Sequence, residues 1–305
     1  MMKMSIGRLS FGIAILLTAC ADTSFKQIGT SVLSSTGYVN ASQVESVFSV
    51  SEHLIKSQEE LTPEQEYYLG RAVSAKLLAK YPLRKSEALQ RYVNKVGSVV
   101  VSASDLPETF AGYHFVVVDS PVINAVSAPG GFIFISAGFL KILSSEDALA
   151  AVLAHEVAHI VKRHGVNAIS NDHLFAALTE ASQQGVVAAT GGAGAPADLG
   201  SLTSLFGESV MGVVDTLLTT GFDRKQEYAA DLYAAQLLER SGYDPRALLE
   251  ALEALRMAAS SGSEGWFSTH PSPDDRIEAV QDDFRFPEQQ MMSSIRTSRF
   301  AKVTQ

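Results

Sequence analysis

Between Ser144 and Gly165 the chain reads Ser144-Ser145-Glu146-Asp147-Ala148-Leu149-Ala150-Ala151-Val152-Leu153-Ala154-His155-Glu156-Val157-Ala158-His159-Ile160-Val161-Lys162-Arg163-His164-Gly165. Hydroxyl and acidic residues suit a helix N-terminus, and three basic residues before a glycine suit its end, so the stretch predicts one helix closed by a Gly165 C-cap. Residues 148–154 are apolar on every face, which suits a helix at the centre of a core rather than on a surface. Into that apolar setting the sequence places His155, Glu156 and His159. Residues four apart share a helix face, so both imidazoles can hold one Zn²⁺ at about 2.1 Å while Glu156, next to that face, reaches an attacking water. The competing reading, two buried histidines with a stray carboxylate, leaves polar groups unsatisfied at a cost of several kcal/mol.

A catalytic zinc site takes a third protein ligand and keeps one open position. Downstream, Asp223-Arg224-Lys225-Gln226 is a capping box that opens a helix carrying Glu227 and Asp231 and ending near Ser241-Gly242. Glu227 and Asp231 share a face. Glu227 can then ligate the metal while Asp231 accepts the outer N–H of a ligand histidine and fixes its tautomer. Glu180, Glu208 and Asp215 lack such a partner. His164, five residues after His159, falls about 140° round the helix and reads as a side chain that caps the C-terminus. His53, His114 and His173 read as surface or core histidines.

Upstream, Thr62-Pro63-Glu64-Gln65 predicts an N-cap and a helix to about Lys80, stopping before Pro82, with a second helix over Ser86–Val101. From His114 the period changes. Phe115–Val118, Val122–Val126 and Phe132–Ile135 are β-branched or aromatic runs punctuated by Pro121, Pro129, Gly130 and Gly131, which predict a small sheet of two to four strands. The class is therefore α+β, mostly helical, with the HExxH segment on its own helix. No glycine-rich phosphate loop follows a strand, which removes the usual nucleotide-binding motifs.

Residues 1–19 read as a lipoprotein signal, with Lys3 and Arg8 ahead of a short apolar run that is too short to span a membrane. Leu17-Thr18-Ala19-Cys20 resembles a bacterial lipobox, implying lipidation of Cys20, and Ala21 in place of an Asp weakly favours the outer membrane. Residues 20–61 then form the lipid anchor and a serine-rich tether containing an amphipathic stretch from Val44 to Ile55. The compact domain spans 62–285 and a tail 286–305. One cysteine in the chain excludes an internal disulfide and a cysteine-based zinc ribbon. A net charge of −9 without a basic run excludes nucleic acid as a partner.

Four motifs in order, the Asn124–Ile135 segment, HEVAHIVKRHG, EYAAD and STHPSPDDRI, resemble the HtpX-like and BepA-like zinc metallopeptidases, gluzincin relatives of the CAAX prenyl proteases. The resemblance covers about residues 60–282. It implies a zincin-like fold, one Zn²⁺ per chain held by His155, His159 and Glu227, Glu156 as catalytic base, and envelope protein quality control in the periplasm on unfolded or misfolded polypeptides. It departs from some relatives in having neither transmembrane helices around the motif nor room for a helical-repeat domain after Arg285. His270 and Arg276 are candidate oxyanion donors, with His270 alternatively a fourth ligand that shuts the site. For Arg276 the plain alternative is a pair with Asp274 or Asp275. The strand from Asn124 through Ala125 and Val126 suits an extended peptide added main chain to main chain. Residues 166–221, with their glycine-rich centre, read as core-packing helices or a lid. The alternative to a peptidase is a metal-binding periplasmic chaperone or assembly lipoprotein with little proteolysis, which the intact Glu156 disfavours.

Overall fold

Helix α1, Pro63–Lys80, begins where Thr62 and Gln65 exchange hydrogen bonds, Thr62 Oγ1 accepting from Gln65 N at 3.2 Å and Gln65 Oε1 from Thr62 N at 2.9 Å. The computed structural model describes residues 61–167, 211–260, 269–288 and 294–304, all within the unit Leu61–Gln305. The expected signal, Cys20, the tether with its amphipathic stretch, His53, His173, Glu180, Glu208 and glycines 191, 192 and 194 lie outside the described residues.

Helix α2 spans Glu87–Ser102 from an N-cap at Ser86. Three strands follow, β1 His114–Val118, β2 Ala125–Ala128 and β3 Phe132–Ser136, in the order β1-β3-β2. β1 runs parallel to β3, with Phe115 opposite Ile133, and β2 runs antiparallel to β3, with Val126 opposite Phe134. The Val122-Ile123-Asn124 part of the second apolar run precedes its strand, because pairing to β3 starts at Ala125. Alternation gives the sheet two buried faces. Phe115, Val117, Ala125, Ile133 and Ile135 enter the main core, and Val118, Val126 and Phe134 pack with Leu69, Val73 and Leu77 of α1 and with Val213 and Leu217.

Among the described residues the outer edge of β1 carries no fourth strand, only an isolated bridge from Leu83 to Val118. The amides of Gln90 and Asn94, four apart on α2, occupy the rest of it. Gln90 donates to the Val117 carbonyl at 2.8 Å and accepts from Val117 N at 2.9 Å, and Asn94 does the same for Phe115 at 2.6 and 3.2 Å.

After the short α3, Ala137–Ile142, the HEVAH helix α4 spans Glu146–Val161 with Ser145 as N-cap, and every residue from Glu146 to Ile160 is buried. That matches an all-apolar sequence bounded by caps. Its end differs from the expectation. Lys162 is the C-cap and Arg163 takes the left-handed turn (φ 56), so Gly165 lies inside the next short helix, α5 His164–Asn167. A π-helical turn over Thr216–Thr220 precedes α6, Arg224–Ser241, whose predicted Asp223–Gln226 capping box is formed and whose left-handed C-cap is Gly242. Helices α7 Ala247–Ser260, α8 Pro273–Asp283 and α9 Ser294–Thr304 complete the fold. The stretch read as a tail thus carries a helix, which docks through buried Phe300 on the core around α4. No helix among the described residues is long and apolar enough to cross a membrane.

Candidate active site

Helices α4 and α6 pack against each other and bring their carboxylate and imidazole faces together. His155 Nε2 and His159 Nε2 are 3.0 Å apart, and the Glu227 carboxylate spans them, 3.5 Å from each. His270, on the turn before α8, adds its Nε2 at 3.7 Å from Glu227 Oε2. One ligand atom from each of these four residues lies within 4.8 Å of all the others. Glu156 is 2% exposed beside them.

The donor set fits a cation. Among the described residues both Glu227 oxygens and Glu156 Oε1 are buried without a hydrogen-bond partner, a condition that is costly for a carboxylate unless positive charge is close by, and Arg276 Nη1, 3.9 Å from Glu227 Oε2, is too far to hydrogen-bond it. Two imidazole nitrogens facing each other at 3.0 Å beside a carboxylate suit a metal that accepts nitrogen and oxygen ligands.

Behind the ligand atoms lies a second layer. Asp231 Oδ1 is 2.9 Å from His155 Nδ1, and Arg276 donates Nε to Asp231 Oδ2 at 2.7 Å and Nη2 to Oδ1 at 2.5 Å. Arg276 therefore stands behind His155, with its Nη2 3.2 Å from His155 Nδ1. Its partner is neither Asp274, which meets Arg256, nor Asp275, which meets Arg224. His159 is flanked differently. His164 Nδ1 is 2.8 Å from His159 Nδ1, and the Phe222 ring stacks on His159 at 4.5 Å. His164 is buried and does not cap the helix with its side chain, because the turn at Arg163 swings it back over His159. His270 is held by Thr269 Oγ1 at 2.9 Å from its Nδ1.

These neighbours set the charges. Burial and Arg276 oppose a positive His155, but Asp231 and Glu227 outweigh them and raise it to about 9. Burial pushes the Glu156 carboxyl up to about 7. Burial also favours a neutral Asp231, yet Arg276 and His155 bring it down to about 2. His159 is driven well below its ordinary value by burial and then by His155.

Asn124 immediately precedes β2, and Ala125 and Val126 are buried within it. Beside them is a small apolar pocket lined by Leu77, Tyr81, Val126, Phe134 and Leu218. Asp215 is exposed and outside the cluster. Reading the sequence alone missed His164, Phe222 and Thr269. The only signal for His164 was its place in HEVAHIVKRH, and nothing in that spacing announced a left-handed arginine.

A sequence profile of peptidase family M48 matches residues 87–283. The beta-barrel assembly-enhancing protease of Yersinia pestis is 29% identical over 219 residues, 71% of this chain and 43% of that protein. The mitochondrial metalloendopeptidase OMA1 of Schizosaccharomyces pombe is 33% identical over 195 residues, 63% of this chain and 52% of that protein. Protease HtpX of Alkalilimnicola ehrlichii is 27% identical over 190 residues, 54% of this chain and 62% of that protein. The chain spans less than half the length of the beta-barrel assembly-enhancing proteases it matches.

Proposed function

We propose that this chain, which belongs to peptidase family M48, is a zinc-dependent metalloendopeptidase that cleaves unfolded or misfolded polypeptides. The observation that carries this reading is the convergence of His155, His159, Glu227 and His270 beside Glu156 in a buried site where both Glu227 oxygens and Glu156 Oε1 lack hydrogen-bond partners. In this reading His155, His159 and Glu227 hold one zinc ion. Three strands and a buried HExxH helix support a zincin-like fold.

Bound zinc supplies Lewis acidity, making water a nucleophile near neutral pH and polarising the scissile carbonyl. Glu156 takes the proton of the attacking water and delivers it to the leaving amine nitrogen, a transfer suited by a carboxyl raised to about 7. Asp231, backed by Arg276, fixes the tautomer of His155, so Arg276 acts through a ligand and not on the carbonyl. His270, close to Glu227 and anchored by Thr269, would help to hold the ion until substrate takes its place. An extended peptide lies along Asn124, Ala125 and Val126, with an apolar side chain directed to the adjoining pocket. Relatives named beta-barrel assembly-enhancing protease support clients of the bacterial envelope and a periplasmic location, with Cys20 as the lipid anchor to the membrane.

One assay on three proteins tests the reading. Wild type and Glu156→Gln should each bind about one zinc per chain, and only wild type should cleave casein, because the base is not a ligand. Cleavage by Glu156→Gln near the wild-type rate removes the mechanism. His270→Ala should cleave faster than wild type, whereas a slower rate would return His270 to the oxyanion role.

A further inference from the structure

The HEVAH helix stops at Val161 and the chain reverses at once. On an unbroken helix His164 would lie about 140° round the axis from His159. Arg163 takes φ 56 instead, and His164 folds back until the two ring centroids are 4.9 Å apart and the two Nδ1 atoms 2.8 Å apart. A left-handed residue that is not glycine persists only where its surroundings fix it. Here the Arg163 guanidinium donates to the Leu61 carbonyl at 2.9 Å and pairs with Glu66 at 2.5 Å, tying the turn to the start of α1.

His159 turns Nε2 toward His155 and Glu227. An imidazole that gives Nε2 to a cation as a neutral ligand keeps its proton on Nδ1, and that proton requires an acceptor. The atom facing it is His164 Nδ1, which accepts when His164 carries its own proton on Nε2. Phe222, immediately ahead of the helix that supplies Glu227, stacks on His159 and leaves the ring plane little freedom.

We infer that His164 is a positioning residue for the metal centre: it accepts the outer proton of His159 and so fixes that ligand's tautomer and ring plane. The inference rests on the metallopeptidase reading for the identity of the cation. It makes the two histidine ligands unequal. His155 is backed by a carboxylate that Arg276 neutralises, whereas His159 is backed by an uncharged ring, so the site gains orientation there without a further buried negative charge.

The test uses the full chain. Zinc affinity is measured by competition with a chromogenic chelator for wild type, His164→Phe, which keeps a ring but has no acceptor, and His164→Gln, whose amide oxygen can accept. His164→Phe should bind zinc about 10- to 100-fold more weakly, as expected when an outer partner of a ligand is lost. Its cobalt-loaded form should show an altered visible spectrum, and His164→Gln should recover most of both. Affinity within twofold of wild type in His164→Phe, with an unchanged cobalt spectrum, overturns the inference. A second measurement needs no variant. Imidazole nitrogen spectra of the zinc-loaded wild type should show His159 protonated at Nδ1 and His164 at Nε2 alone, and a proton on His164 Nδ1 would reject the role. Wild type that takes up no zinc would instead strike at the metallopeptidase reading itself.

Discussion

His155 is held between a carboxylate behind it and another in front, and this has a consequence for metal uptake. Its pKa is raised to about 9 from 6.5, so at pH 7 protein stripped of metal carries a proton there that a cation must displace. Zinc binding should therefore release close to one proton at pH 7, and apparent affinity should climb about tenfold per pH unit from 7 toward 9. Calorimetry in buffers of different ionisation enthalpy measures both. The same shift acts on the stripped fold: the stabilisation is complete below 6.5 and is lost as pH rises through 9. Substitutions separate ligand from support. Glu227→Ala should abolish zinc retention through dialysis, whereas Asp231→Ala should weaken affinity by about 10- to 100-fold. At this scale the sequence was legible wherever chemistry follows helical spacing, as with His155 and His159 or Glu227 and Asp231. It was illegible for Arg276, because the three residues around it say nothing of which distant carboxylate its guanidinium meets.

Elements hold the site through a few close backbone approaches. Gly221 has φ 73, and a Cβ added to it would run into the Thr269 carbonyl oxygen. This one glycine lets the turn before α6 press against the loop that presents His270, so the supports of Glu227 and His270 are joined without any side chain between them. Gly221→Ala should push the His270 loop away. The cobalt-loaded variant should then share the spectral change of cobalt-loaded His270→Ala, and an unaltered spectrum would mean the loop is placed by Thr269 and α8 alone. Caps and periodicity announced α1, α2 and α6 to within a residue or two, and α4 at its start. The early break after α4 was hidden, since a left-handed arginine is fixed by Leu61 and Glu66, about a hundred residues away.

The molecule as a whole is built around one buried helix, and its last described element secures the far end of it. Glu146 and Asp147, in the first turn of α4, are 2% and 0% exposed. Tyr92 donates to Glu146 at 2.7 Å, Arg299 of α9 pairs with Glu146, and Arg296 reaches Asp147 at 3.1 Å. Both arginines lie on α9. Removing residues 294–305 would strip two buried carboxylates of their cations and uncover the Phe300 pocket, so the shortened protein should melt well below the full chain. Arg299→Ala alone should cost about 1–2 kcal/mol, a buried-pair loss reduced because half of that arginine is in water; a melting temperature within 1 °C of wild type, on the order of a few tenths of a kcal/mol, would show that α9 is ornamental. The β-branched runs gave a small sheet of two to four strands but not its order, because β1 pairs with β3, past β2 in the sequence, and such pairing is settled by the core.

The edge amides of Gln90 and Asn94 bear on a different hazard. A bare strand edge is a template on which other extended chains polymerise, and the function proposed above would bring such chains to the molecule constantly. By giving β1 a false neighbour made of side chains, helix α2 leaves that flank with nothing to offer a passing strand, and sheet growth from that side ends within the molecule itself.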